Sequence, residues 1–124
     1  MTMKHAFLIM AHGSLPLLRV LLSMLDDERN DIFLHIDRKS DMLDGAEPLV
    51  LSKARLFVLE QRVDVRWGNL SQIKAEYVLF EEALKHGPYA YYHLLSGQDL
   101  PIKSQDYIHQ FFEEHQGKEF VGIN

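Results

Sequence analysis

"HAFLIMAHGSLPLLRVLLSML", residues 5–25, changes its hydrophobic pattern once, and that change decides the fold. Residues 5–11 are almost continuously apolar. A strand with one wet face alternates, so an unbroken run of this length reads as a strand covered on both faces. It ends in small residues, Ala11, Gly13 and Ser14, around His12. Beyond them Leu15, Leu18, Leu22 and Leu25 fall on one helical stripe, with Ser14 placed to cap and Pro16 tolerated in the first turn. A doubly buried strand feeding directly into a helix is a βα unit.

The same alternation continues outward. "DIFLHID" (31–37) and "ARLFVLE" (54–60) read as second and third strands, and "RKSDMLDGAEP" (38–48) between them holds at most a short helical turn. "NLSQIKAEYVLFEEALKHG" (69–87) is the clearest helix, with Ile73, Tyr77, Phe80 and Leu84 predicted as its core stripe and Gly87 as terminator. "YAYYHLLS" (89–96) is strand four. "SQDYIHQFFEEHQG" (104–117) reads as a helix capped by Ser104, and "KEFVGIN" (118–124) as strand five. Strands alternating with helices predict an α/β fold, a mainly parallel sheet flanked by helices and joined by right-handed crossovers.

With 124 residues, 47% of them hydrophobic, the chain has material for one core and reads as a single domain spanning 1–124. The formal charge of -5 leaves no basic footprint, which argues against nucleic acid as a partner. Cysteine is absent, so disulfides, thiolate metal sites and a cysteine nucleophile are excluded, and the cytoplasm is the default compartment. The N-terminal apolar run is about six residues, short of the roughly 7 to 15 of a signal segment, and no run reaches membrane length.

In an open parallel sheet ligands bind outside the carboxyl ends of the strands. That rule selects Ala11, His12, Gly13 and Ser14 after strand one, His35, Asp37, Arg38 and Lys39 at strand two, and Ser96, Gly97, Gln98 and Asp99 after strand four. Asp37 follows His12 by 25 residues, near the spacing at which nucleotide-binding βαβ units place a ribose-binding carboxylate. The first loop reads "AHGSLP" and lacks GxGxxG, so a dinucleotide-binding dehydrogenase is disfavoured. "HIDRKS" is equally consistent with a strand end and a solvated charged turn. Trp67, Gly68 and Asn69 precede a helix whose free N–H groups suit an anion, although Asn69 as a plain cap and Trp67 as a core residue explain them as well. None of the seven histidines forms an HxH or HxxxH pair, so they read as structural and no metal site is expected. Ser96 is not in a GxSxG elbow.

Taken together, "IMAHGSLPLLRVLL", "FLHIDRKSD", "VRWGNLSQIKAE", "YYHLLSGQDLPIKS" and "FFEEHQGKEF" resemble the core-2/I-branching β-1,6-N-acetylglucosaminyltransferases of glycosyltransferase family 14, which also includes the peptide O-xylosyltransferases. The matching segments cover nearly the whole chain in family order. The resemblance implies the N-terminal nucleotide-binding half of a GT-A fold. It also implies inverting transfer of a sugar, N-acetylglucosamine or xylose, from a UDP-sugar donor to the hydroxyl of a glycan or polysaccharide acceptor. By carry-over His12 and Asp37 hold the uridine, Trp67 flanks the base, Ser96, Gly97 and Asp99 lie beside the diphosphate and transferred sugar, and Arg38 and Lys39 are weaker candidates.

Most GT-A enzymes hold a divalent metal on an Asp-x-Asp motif after strand four. Here the place reads "SGQDLP", with Asp99 alone. The resemblance therefore implies metal-independent transfer without a cofactor, in which basic side chains of the C-terminal half stabilise the leaving diphosphate. The catalytic carboxylate is implied to lie there too, so no catalytic residue is assigned within residues 1–124 and the chain is expected to be a truncated, donor-binding part that is inactive alone. Its uncovered apolar surface predicts self-association. No anchor is visible, and lipid-linked acceptors leave a location peripheral to the membrane open. Two other readings compete: a non-catalytic module that binds a nucleotide or sugar nucleotide, and a flavodoxin-like or receiver-like interaction domain, the latter lacking the acidic cluster a receiver needs after its first strand.

Overall fold

The computed structural model describes residues 4–66 and 70–96, apart from the side chain of Ser96. In chain order the elements are β1 (His5–Ala11), α1 (Leu15–Leu25), β2 (Asn30–Ile36), β3 (Arg55–Val58), α2 (Leu70–His86) and β4 (Tyr91–Ser96). All strand pairs are parallel, in the order β3-β2-β1-β4. The predicted α/β class and all four strands up to residue 96 are present. The helix expected over 104–117 and the strand over 118–124 lie outside the described residues.

Strand β1 is buried at every position, because it is central and a helix covers each face. Its odd residues Phe7, Ile9 and Ala11 join Ile32, Leu34 and the α1 leucines, whereas Ala6, Leu8 and Met10 join Phe33, Ala75, Val78 and Leu79 under α2. Strand β3 is the edge, only four residues long and partly exposed, and it departs from the doubly buried pattern for that reason.

Helix α1 starts as its sequence demands. Ser14 adopts an extended backbone and its hydroxyl accepts from the Leu17 N–H at 3.2 Å, while Pro16 occupies the first turn. Gly13 has a φ of +83°, a left-handed conformation that a Cβ would disfavour, and this bend turns the chain from β1 into the helix. Leu18, Leu22 and Leu25 are buried as predicted; Leu21 joins them, and Leu15 is half-buried at the cluster's rim. The connection over 37–54 contains only turns. Its return leg is pinned by Asp26, whose carboxylate accepts from the N–H groups of Ser52, Lys53 and Ala54 at 2.8 Å each.

The predicted core stripe of α2 needs correction. Ile73, Tyr77 and Leu84 are 62%, 66% and 66% exposed; only Phe80 is partly buried. The helix instead seats Ala75, Val78, Leu79 and Ala83 on the sheet. The strands beneath supply the bulk through Phe33, Phe57, Tyr89 and Tyr92, so the facing side of the helix must be small to approach. The sequence carries two apolar stripes, and residue volume, rather than hydrophobicity, selects between them.

Candidate functional site

After β3 the chain crosses back through α2 to place β4 on the far side of β1, so the strand order reverses between β1 and its neighbours. Such a switch point opens a crevice at the carboxyl ends of the strands. Met10 pairs with His35 on one side and with Ser96 on the other, which aligns the ends of β1, β2 and β4 at one level.

A cavity of about 500 Å³ lies beside that crevice, at the carboxyl ends of β1 and β2, lined by His12 and Gly13 after β1, by Asp37, Lys39, Ser40 and Asp41 from the β2 exit, and by Val65. A larger groove of about 550 Å³ runs between β3 and α2 at the outer edge of the sheet. It is away from the switch point, and its Glu82 is already bonded to Lys85 at 3.4 Å.

Asp37 is held there by the sheet itself: its N–H donates to Ala11 O at 2.9 Å, extending the β1–β2 ladder by one bond. Its carboxylate, 7% exposed, accepts from the Lys39 N–H at 3.0 Å and from Lys39 Nζ at 3.1 and 3.2 Å. Burial pushes this carboxyl up, but the N–H and ammonium of Lys39 and the N–H of Val65 outweigh it and hold the group below the usual carboxylate range. Lys39 Nζ also donates to Asp64 Oδ1 and Val65 O, both at 2.6 Å. The Asp64 carboxylate, with Asp37, holds the ammonium above its ordinary pKa. Lys39 is thus a buckle between two loops before it is a ligand for any phosphate.

Arg38 points elsewhere. Its side chain is 69% exposed, 4.0 Å from Asp64 Oδ2, and it does not line the cavity; its N–H donates to Val63 O at 3.1 Å. His12 and Asp37 are therefore brought together, Arg38 is not, and Lys39 takes the place beside them. Ser96 ends β4 next to β1, while Trp67, Gly97 and Asp99 lie outside the described residues.

A sequence model of the Core-2/I-Branching enzymes matches residues 5–123. The chain belongs to the Core-2/I-Branching enzyme family. No curated protein matches it. Membership makes glycosyl transfer the activity class.

In this Core-2/I-Branching chain sequence reasoning misses Arg62 and the contact that His35, a strand-end residue, makes behind the cavity. Arg62 donates from Nε to Ile36 O at 3.1 Å and from Nη2 to Asp37 O at 2.8 Å and Ser40 O at 2.5 Å. His35, fully buried, accepts the Val63 N–H on Nε2 at 2.9 Å, which assigns its proton to Nδ1. Nδ1 has no hydrogen-bond partner among the described residues. Burial depresses the His35 pKa, and the nearby Asp37 charge only partly opposes it. No sequence motif announces these contacts, because most of the partners are main-chain atoms. Among the described residues no group of three or more His, Asp or Glu could hold a metal, and no helix is long and apolar enough to cross a membrane.

Proposed function

We propose that this cavity takes the nucleoside diphosphate of a UDP-sugar, and that the chain is the donor-binding part of an inverting transferase that moves N-acetylglucosamine or xylose to a glycan or polysaccharide hydroxyl. The observation that carries this reading is the convergence of His12 and Asp37, from adjacent parallel strands, on one 500 Å³ cavity at the carboxyl ends of β1 and β2. Gly13 has no side chain to keep a ligand away from the backbone.

In such a transfer the acceptor oxygen attacks the anomeric carbon, its proton passes to a base, and the bond to the diphosphate breaks with UDP leaving. The roles of this chain are to bind and orient the donor. No residue of this chain is assigned as the base or as a group that stabilises the departing diphosphate. A single acid in "SGQDLP" supports metal-independent donor binding.

Titration of the 124-residue chain with UDP, UDP-GlcNAc and UDP-xylose, with and without Mn²⁺, tests the proposal. Binding of the uridine diphosphate that is indifferent to Mn²⁺ is expected. A strict Mn²⁺ requirement would remove the metal-free account, and no binding of any of the three would remove the donor-site reading.

A further inference from the structure

The exit of β2 is a tight turn that must hold its shape for the cavity to exist. Asp37, Lys39, Ser40 and Asp41 all line the cavity, yet they are consecutive or nearly so on an irregular segment. Within the turn the Ser40 N–H donates to Asp37 O at 2.9 Å. Beyond this bond and those of Asp37 to Ala11 and Lys39, restraint comes across space from residues 62–66. Arg62 spans the outside of the turn, its planar fork reaching the carbonyls of Ile36 and Asp37 at one end and of Ser40 at the other. Lysine has no such fork and places one ammonium on one locus. On either side of this clip, Val63 is bonded through its N–H to His35 and through its carbonyl to the Arg38 N–H at 3.1 Å.

We propose that Arg62 is a positioning residue for the donor cavity: by clipping three main-chain carbonyls of one turn it sets where the Asp37 carboxylate and the Ser40–Asp41 wall stand against a bound nucleotide. Arg62 does not itself line the cavity, so it acts through the turn. The inference rests on the UDP-sugar reading of the cavity. It adds a residue that neither the strand-end rule nor the family resemblance selects.

The test is a UDP titration of the wild-type chain, Arg62→Ala, Arg62→Lys and the core control Leu22→Ala, each at a temperature where thermal melts show it folded. Leu22 is buried under α1 and remote from the cavity, so it lowers the melting temperature without touching the turn. Loss of a net hydrogen-bond contribution of the usual size predicts a Kd for UDP raised about tenfold in Arg62→Ala, with Arg62→Lys between it and wild type. Leu22→Ala should stay within about twofold of wild type, since sites without shared partners act independently. Unchanged affinity in Arg62→Ala overturns the inference, as does an equal loss in Leu22→Ala, which would reduce Arg62 to a stability element. If Arg62→Ala does not fold, Arg62→Lys with wild-type affinity overturns it alone. A silent wild type overturns the donor reading and this inference together, and is told apart because no variant is then needed to see it.

Discussion

Lys39 Nζ stands 3.1 Å from Asp37 Oδ2, so the carboxylate proposed to hold the nucleotide is already engaged by its own turn. Two roles are superposed on Asp37. The carboxylate stabilises the loop that carries it, and its remaining acceptor capacity faces the cavity.

Asp37→Asn separates these roles. The amide keeps the size of the side chain but removes the charge that faces Lys39 and the N–H groups of Lys39 and Val65. Lys39 is half-exposed, so the pair is partly screened, and a loss of about 1 kcal/mol in stability is expected by chemical denaturation. UDP affinity should fall further than stability alone would produce. Asp37→Asn with wild-type UDP affinity would assign the carboxylate to the loop only.

His35 makes stability depend on pH above the carboxylate range. Its folded pKa is depressed, so the unfolded chain binds the proton more readily. Stability contributed by the neutral ring is complete above the unfolded value of about 6.5 and is lost as pH falls below it toward the folded pKa. Denaturation midpoints measured from pH 7.5 down to 5 should therefore decline. His35→Gln supplies an acceptor for the Val63 N–H without a titrating ring and should flatten that part of the profile. An equal decline in the variant would place the titration on another group.

The opposite end of the sheet holds another buried charge. Asp31 has a fully buried carboxylate that takes Lys4 at 3.2 Å, Arg55 at 2.6 Å and the Tyr89 hydroxyl at 2.6 Å. Burial raises its pKa, but Arg55, Tyr89 and Lys4 more than offset this and hold it low. A depressed carboxylate stabilises the fold above its unfolded pKa of about 3.9, and this is lost as pH falls through the folded value. Asp31→Ala leaves the Tyr89 hydroxyl buried without its acceptor, at a cost of about 3 kcal/mol. Asp31 is at the amino ends of the strands, away from the cavity, so UDP affinity of the folded fraction should not change. A Kd shift would join the two ends of the sheet in a way the contacts do not show.

How much of this was legible in the sequence depends on what each residue had to signal. His12 and Asp37 could be found because a general rule about strand ends selects them, and the structure places both on one cavity. Strand β1 could be found because nothing but burial on both faces explains residues 5–11. Arg62 could not: it bonds to main-chain atoms more than 20 residues away, and any side chain can carry those atoms. The strand-end rule reaches His35 but not its bond to the Val63 N–H, for the same reason. Asp64 fails for a related reason, since its partner Lys39 is fixed only once two irregular loops meet. Helix α2 was assigned correctly as a helix and wrongly as to its face. Periodicity fixes an angle around the axis, and two apolar stripes satisfied it.

The face of α2 gives the last prediction. Leu70, Ile73, Tyr77 and Leu84 are exposed along one side of a single helix, an apolar stripe of the kind that marks an association surface. The spacing 70, 73, 77, 84 is that of a heptad seam, which a second copy of the same stripe fits. Lys74 and Glu81 flank it and carry opposite charges, so an antiparallel pairing of two copies sets unlike charges against each other. Concentration-dependent association of the 124-residue chain is therefore expected by sedimentation or light scattering, weakened in Tyr77→Glu. That substitution should change stability by no more than about 0.5 kcal/mol, because the site is on the surface. Ala75→Leu, two residues away and on the opposite face against the sheet, should instead cost about 1–3 kcal/mol by overpacking and leave association unchanged. Destabilisation by Tyr77→Glu together with tolerance of Ala75→Leu would instead seat the Tyr77 face of α2 on the sheet. A wild-type chain that stays monomeric at high concentration would leave the stripe without a role in pairing.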